Sequence, residues 1–438
     1  MSLLKRILSL PKEHPRPTAS ALRASSTLPT SRSTSATNSQ GASQAVADLS
    51  ETLGPALNQI DLDGEPKAQI GLFLDQLDTE ASKYENAQLD CRLYPEWDCS
   101  EANAQLISTA FQGAQSVYDL PDNNNSTSIG PAGTVQSHTV PSIGGTVKAS
   151  TFTRVSDEHG PVLVIAIRGS ASVVDHVVNA NYRPADASNF IDFTRWYKPG
   201  GTFSAHAGFL KSAEVLEPTV SREINKYVGE FGEKSRVLFT GHSAGGAVAS
   251  LLFLRYIYSQ HSVAHTHWQL IRFSCITFGA PPVLTVPAHI DERYLCLNVI
   301  NEFDMVSRAD GAYKDCLVDL VRSMHESGEQ SAATKTKRTP DAGPDTETSS
   351  RESHSQQEKV RWPTPKSCYS HVGPRIVCAM RPDATTPASL RLHVVEVPKE
   401  DFERLLFCRV SVHRRACYAQ RVRLLVEGRV NEAAKVKA

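Results

Sequence analysis

Ser243 lies in the run RVLFTGHSAGGAVASLLFLRY, Arg236 to Tyr256, with glycines two positions before and two positions after it. A serine hydroxyl is a poor nucleophile at neutral pH. A sharp turn that needs Gly241, Gly245 and Gly246 for backbone clearance is one way to hold it within reach of a carbonyl. The alternative is a glycine-rich loop in which the serine is merely small. The bare Gly-x-Ser-x-Gly pattern does not decide, because a 438-residue chain contains one by chance with odds of about one in ten. Its neighbours do decide. A buried β run precedes the pentapeptide and a long apolar helical run follows, and strand, turn, helix is the setting of a nucleophile elbow. Ser243 then points from the carboxyl edge of a sheet toward a helix N-terminus, whose dipole favours developing negative charge.

Such a serine needs a general base, and the base needs an orienting carboxylate. In α/β hydrolases these follow the serine in the order acid, then histidine. Asp304, in LNVINEFDMVSR, falls just past the carboxyl end of an apolar strand, where loops of open α/β sheets carry function; Glu302 and Asp310 compete for the role. Three histidines follow beyond the polar stretch 325–361: His371 in CYSHVGPRIV, His393 in LRLHVVEV and His413 in RVSVHRRACYAQRVRLL. His393 sits inside an alternating strand and reads as a packed or edge residue. His206 and His242 read as hydrogen-bonded structural groups. His261, His265 and His267 cluster in HSVAHTHW with no carboxylate or thiol nearby. That cluster reads as a solvated loop, so no metal is expected, and the chemistry calls for no organic cofactor.

The elements that would position these residues alternate between strand and helix. EANAQLISTAFQGAQSVYDL carries apolar residues at helical spacing up to Pro121, and GTVKASTFTRV alternates as a half-buried strand. PVLVIAIRGS, RVLFT, IRFSCITFGAP and YLCLNVIN are near-continuous apolar runs, the mark of strands covered on both faces. FLKSAEVLEPTVSREINKYVGEF reads as a helix kinked or interrupted at Pro218. The expectation is one three-layered α/β domain with a mostly parallel central sheet and helices on both faces.

Lys and Arg number 46 against 47 Asp and Glu, so no basic excess points to nucleic acid. Nine scattered cysteines without a CxxC pair suit a reducing compartment. Sequons at Asn124 and Asn125 lie in an Asn-rich stretch and weigh little for secretion. The N-terminus is too short in apolar run, and too charged at Lys5 and Arg6, for an export signal. Residues 1–50 read as a disordered tail, with a transit peptide or a weak interfacial helix as alternatives. The folded domain is expected over 51–430, interrupted by a polar, disordered insertion at 325–361. The expected location is the cytoplasm, at a membrane surface where the tail engages one, or the mitochondrion on the transit-peptide reading.

Four pieces, VLVIAIRGS, AHAGFL, GHSAGGAVASLL and ITFGAPPV with NVINEFDMVSR, resemble in order and spacing the class 3 lipases, a family that includes triacylglycerol and diacylglycerol lipases. The resemblance runs over roughly residues 100 to 310. It implies an α/β-hydrolase fold with Ser243 as nucleophile, Asp304 as triad acid, and Ser170 with the backbone N–H of Ala244 as oxyanion donors. Ala244 stands where the family commonly has leucine. The family's histidine lies a few residues before a tyrosine at the start of the last helix, which favours His413, with Tyr418 after it, over His371. The stretch between Ser170 and His206 occupies the place of the family's lid. Its Val173, Val174, Val177, Val178, Phe190, Ile191, Phe193, Trp196 and Tyr197 are apolar enough to meet acyl chains or a lipid surface, or to fold down on the core. The implied reaction is hydrolysis of lipid carboxylic esters through an acyl-enzyme. The implied partners are the lipid ester and, through lid and N-terminus, a membrane or lipid-droplet surface. An acyltransferase, a phospholipase or a non-catalytic binding scaffold on the same fold are the alternatives.

Overall fold

The computed structural model describes residues 75–118, 128–129, 136–140, 149–157, 160–169, 183–193, 203–259, 270–317, 319–320, 323, 359–382 and 390–430. The N-terminal tail, both sequons, Ser170, the 261–267 histidines and nearly all of the 325–361 insertion lie outside them. The described residues fall within one compact unit.

A nine-stranded sheet organises that unit. Antiparallel strands β1 (Ser128–Ile129), β2 (Gln136–Val140) and β3 (Ser150–Asp157) lead into a parallel centre. That centre is β4 (Gly160–Ile167), β7 (Arg236–His242), β8 (Arg272–Phe278), β9 (Leu295–Asn301) and β10 (Arg375–Pro382). Antiparallel β11 (Leu390–Val397) closes the other edge. A small separate pair, β5 (Pro184–Asp186) and β6 (Ser204–His206), lies outside it.

The continuous apolar runs become parallel central strands because both faces are covered. Successive residues of β4 serve opposite cores. Leu163 and Ile165 join Phe239, Ile224 and Tyr256 on one face; Val162 and Val164 join Leu238, Phe111 and Tyr418 on the other. Helices α2 (Ala207–Phe231) and α3 (Ala244–Ser259) cover the first face. Helices α1 (Glu101–Ser116) and α4 (Arg415–Val426) cover the second. Helix α1 starts where Ser100 accepts a capping hydrogen bond from the Asn103 N–H at 3.2 Å. This is the α/β-hydrolase arrangement that the sequence predicts.

Pro218 does not interrupt its helix: α2 runs unbroken from Ala207 to Phe231. A proline costs one backbone hydrogen bond. Buried Leu210, Ala213 and Leu216 before it, and Val220, Ile224 and Tyr227 after it, hold both halves to the same core.

The segment before α1 is tied to distant parts of the sheet. Glu302, just beyond β9, accepts from the Leu89 N–H at 2.9 Å and from Arg381 of β10, whose Nη2 also donates to Leu89 O at 2.8 Å. Asp78 pairs with Arg409 at 2.7 Å. Lys359–Arg361, the end of the predicted insertion, are held too: Val360 O accepts from Glu85 N at 3.1 Å, and next to them Trp362 N donates to Asn86 Oδ1 at 2.9 Å. Among the described residues no helix is long and apolar enough to cross a membrane.

Candidate active site

Ser243 sits between β7 and α3 with φ at 61°, one of two non-glycine residues with positive φ among those described. Such a conformation costs on the order of 1–3 kcal/mol and persists only where the surroundings enforce it. Here they do. A Cβ on Gly245 would fall 2.0 Å from Ile167 O, and one on Gly241 would fall 2.4 Å from the Gly245 carbonyl carbon. The Ser243 N–H donates to Phe278 O at 2.9 Å, fixing the elbow to the end of β8.

His413 Nε2 lies 2.9 Å from Ser243 Oγ, and His413 Nδ1 lies 2.8 Å from Asp304 Oδ2 and 3.0 Å from Oδ1. All three residues are buried. His413 ends a 3-10 turn, Ser411–His413, directly before α4, and Asp304 occupies the turn after β9. Asp304 also accepts from Tyr418 Oη at 2.6 Å and from the Val306 N–H at 2.9 Å. An ionised carboxylate only accepts, so the proton on His413 belongs on Nδ1, which leaves Nε2 as acceptor for the serine hydroxyl. Burial, then the charge of Asp304, pushes the Tyr418 phenol well above its ordinary value, so it remains a donor.

The remaining candidates are engaged elsewhere. His371 is buried with Nε2 donating to Ala280 O at 3.1 Å, and burial with nearby Arg375 pulls its pKa to about 3. His206 stacks on Phe209 with ring centroids 4.3 Å apart, and burial pulls its pKa to about 4. His242 Nε2 donates to His413 O at 2.8 Å, holding the main chain of the neighbouring histidine. His393 is half-buried in edge strand β11. Glu302 is taken by Arg381, and Asp310 accepts from Ser367 Oγ, the Cys368 N–H and the Tyr313 N–H. Among the described residues no group of His, Cys, Asp or Glu could hold a metal ion.

Residues 164–314 match the sequence profile of the family described as Lipase (class 3). Over this span the chain is similar to the class 3 lipases. It is accordingly a carboxylic ester hydrolase of the lipase type, acting on lipid esters. No curated protein sequence matches it. Solved structures that resemble the lipase include the Rhizomucor miehei lipase with its propeptide, at 19% identity over 52% of this chain and 70% of that one, TM-score 0.37. A triacylglycerol lipase from Penicillium expansum has 11% identity over 68% and 85%, TM-score 0.39. Lip2 lipase from Yarrowia lipolytica has 13% over 49% and 75%, TM-score 0.37. The family profile carries the assignment.

Two parts of the lipase's site differ from the sequence reading or extend it. Phe190, Ile191 and Phe193, expected within the lid stretch, are buried in the core beside α3, with the Phe193 ring tilted against that of Tyr258 at 4.7 Å. Their apolar character answers to packing, and a covering segment would have to come from 171–182 and 194–202, outside the described residues. Tyr118 had no role in the sequence reading. Its Oη accepts from the Gly169 N–H at 3.0 Å, and so anchors the chain one residue before Ser170. A Cβ on Gly169 would lie 3.3 Å from that of Ser243, so this loop runs against the elbow serine. No local sequence pattern marks Tyr118, whose partner is 51 residues away.

Proposed function

We propose that Ser243, His413 and Asp304 form a catalytic triad that hydrolyses acylglycerol-type lipid esters by two-step acyl transfer. The observation that carries this reading is the unbroken hydrogen-bonded path from Ser243 Oγ through His413 to Asp304. His413 Nε2 takes the hydroxyl proton as Ser243 attacks the ester carbonyl, and Asp304 stabilises the imidazolium. Protonated His413 then returns the proton to the leaving alcohol. Water, deprotonated by the same nitrogen, resolves the acyl-enzyme and frees the fatty acid. The oxyanion meets the backbone N–H of Ala244, the first of α3 and without an intrahelical acceptor, and donors at Ser170, which follows the anchored Gly169. Each such donor is worth about 3 to 4 kcal/mol in comparable sites.

The lid stretch and N-terminus are proposed to contact a membrane or lipid-droplet surface, from a cytoplasmic location. Their apolar and basic residues support that reading. A panel of monoacyl, diacyl, triacyl and phospholipid esters, run on the full chain beside Ser243→Ala and His413→Ala, tests the function. Fatty acid release by the wild type that both variants lack is expected. Turnover that survives in Ser243→Ala would exclude it as the nucleophile.

A further inference from the structure

Among the described residues two non-glycine positions have positive φ, Ser243 and Phe303. The elbow accounts for Ser243. Phe303, at φ 73°, immediately precedes Asp304. A bulky residue in this region is a conformational outlier that its surroundings must enforce. A glycine would adopt the angle freely, so the Phe303 side chain must contribute a contact that glycine could not.

Arg409 makes that contact and holds the turn in two ways. Its N–H donates to Phe303 O at 2.9 Å, beside an isolated parallel bridge between Asp304 and Arg409. Its guanidinium lies 4.3 Å from the centre of the Phe303 ring, where a cation is attracted to the π face. A carboxylate fixes the same guanidinium: Nε donates to Asp78 Oδ2 at 2.7 Å. Asp78 belongs to the helical residues 75–81, in which Leu77 and Ala81 are buried, so the carboxylate comes from a docked turn. Phe303 also packs against the cluster that contains Leu89, Phe402 and Phe407. Four residues beyond Arg409 stands His413, whose N–H donates to Val410 O at 3.0 Å. One arginine therefore joins the turn of Asp304 to the segment of His413. Neither Asp78 nor Arg409 falls within residues 164–314, the span of the family match.

We propose that Arg409, braced by Asp78, is a positioning residue for Asp304. It keeps Phe303 in the left-handed conformation and so directs the carboxylate that follows onto His413 Nδ1. Without the guanidinium the ring loses its partner, the strained turn relaxes, and the 2.8 Å contact from Asp304 Oδ2 to His413 Nδ1 lengthens. The main-chain bond from Arg409 survives substitution of its side chain, so the turn loosens without unfolding. On the triad reading, on which this rests, an aligned acid matters in the transition state, when His413 carries charge, and little for binding the ester. Small displacements of a catalytic group are costly in rate.

Steady-state kinetics of the full chain on p-nitrophenyl butyrate, beside melting curves, test the proposal. Arg409→Gln should lower kcat about three- to tenfold, with KM within about twofold and a melting midpoint close to that of the wild type. Arg409→Lys keeps a cation beside the ring and should recover most of the loss. Asp78→Asn should lose less than Arg409→Gln, and the double substitution no more than Arg409→Gln alone, because Asp78 acts through the arginine. The decisive comparison places Arg409→Gln in an Asp304→Asn background. There kcat should change by no more than about twofold, since the carboxylate that Arg409 aligns is gone. No loss in Arg409→Gln, the same fold-loss in both backgrounds, or a raised KM with kcat spared overturns the proposal. Full turnover by Asp304→Asn alone would sink the triad reading instead.

Discussion

His413 and His371 are both buried, and in each the Nε2 has one hydrogen-bonded neighbour, yet their surroundings are opposite. His413 has the Asp304 carboxylate on Nδ1 and a hydroxyl on Nε2. His371 has a backbone carbonyl on Nε2, and burial first, with the cations Arg375 and Arg308 nearby, pulls its pKa to about 3. An imidazole is equipped to take a proton when the charge it acquires has a buried counter-ion, and is kept neutral when its neighbours are cationic. The chain thus holds one buried histidine with a carboxylate partner and another without one, both near the carboxyl edge of one sheet.

Substitutions can break that contrast at several points. The largest effect is expected from His413→Ala, which removes the proposed base and should lower kcat by about 10^5 to 10^6, with lipid binding little changed. His371→Ala should leave turnover within about tenfold of the wild type in the same assay, because its ring does not reach Ser243. Asp304→Asn keeps the volume but favours the wrong imidazole tautomer. A loss of about 10^4 in kcat is expected from steady-state rates.

Next comes stability in acid. Above the ordinary histidine value of 6.5 the His371 ring is neutral in folded and unfolded chains alike and contributes no pH dependence. Below it the unfolded chain binds a proton that the folded chain refuses until about pH 3, so stability falls across that window, by up to a few kcal/mol. His206, held to about 4, acts in the same direction. Melting curves from pH 7 to pH 4 should therefore decline less steeply for His371→Gln than for the wild type, and parallel slopes would contradict the assignment. The smallest effect belongs to Tyr418→Phe, which deletes one of the hydrogen bonds to Asp304. About a tenfold loss in kcat with unchanged KM is expected, and the acid limb of the kcat profile should move.

The sheet and the elbow were legible because each depends on near neighbours. Val162 to Ile167 and Val237 to Phe239 are apolar without a break, and Gly241 and Gly245 flank Ser243 at the spacing a close-packed turn needs. The choice between His371 and His413 was not legible from spacing. It depends on how a chain leaving β11 returns to the carboxyl edge, and in the sequence reading only the family resemblance, through Tyr418, favoured His413. The structure brings His413, not His371, to Ser243. Phe190, Ile191 and Phe193 illustrate the same limit, since an apolar cover and an apolar core have one composition and only packing separates them. Tyr118 was missed because a hydrogen bond to a backbone N–H leaves no trace in local sequence.

The ties that close this unit span long stretches of chain. Leu89 and Glu302 are 213 residues apart, Arg381 and Leu89 are 292 apart, and Arg409 and Asp78 are 331 apart. Ser243 waits 170 residues for His413. Contacts of that separation form late, because loop closure must be offset before any of them stabilises the chain. During synthesis the elbow, the sheet centre and the Asp304 turn can all emerge before His413 exists. The hydrogen-bonded path from Ser243 through His413 to Asp304 is therefore incomplete until α4 is translated, and on the proposed mechanism translation order alone delays the chemistry until the domain is almost whole.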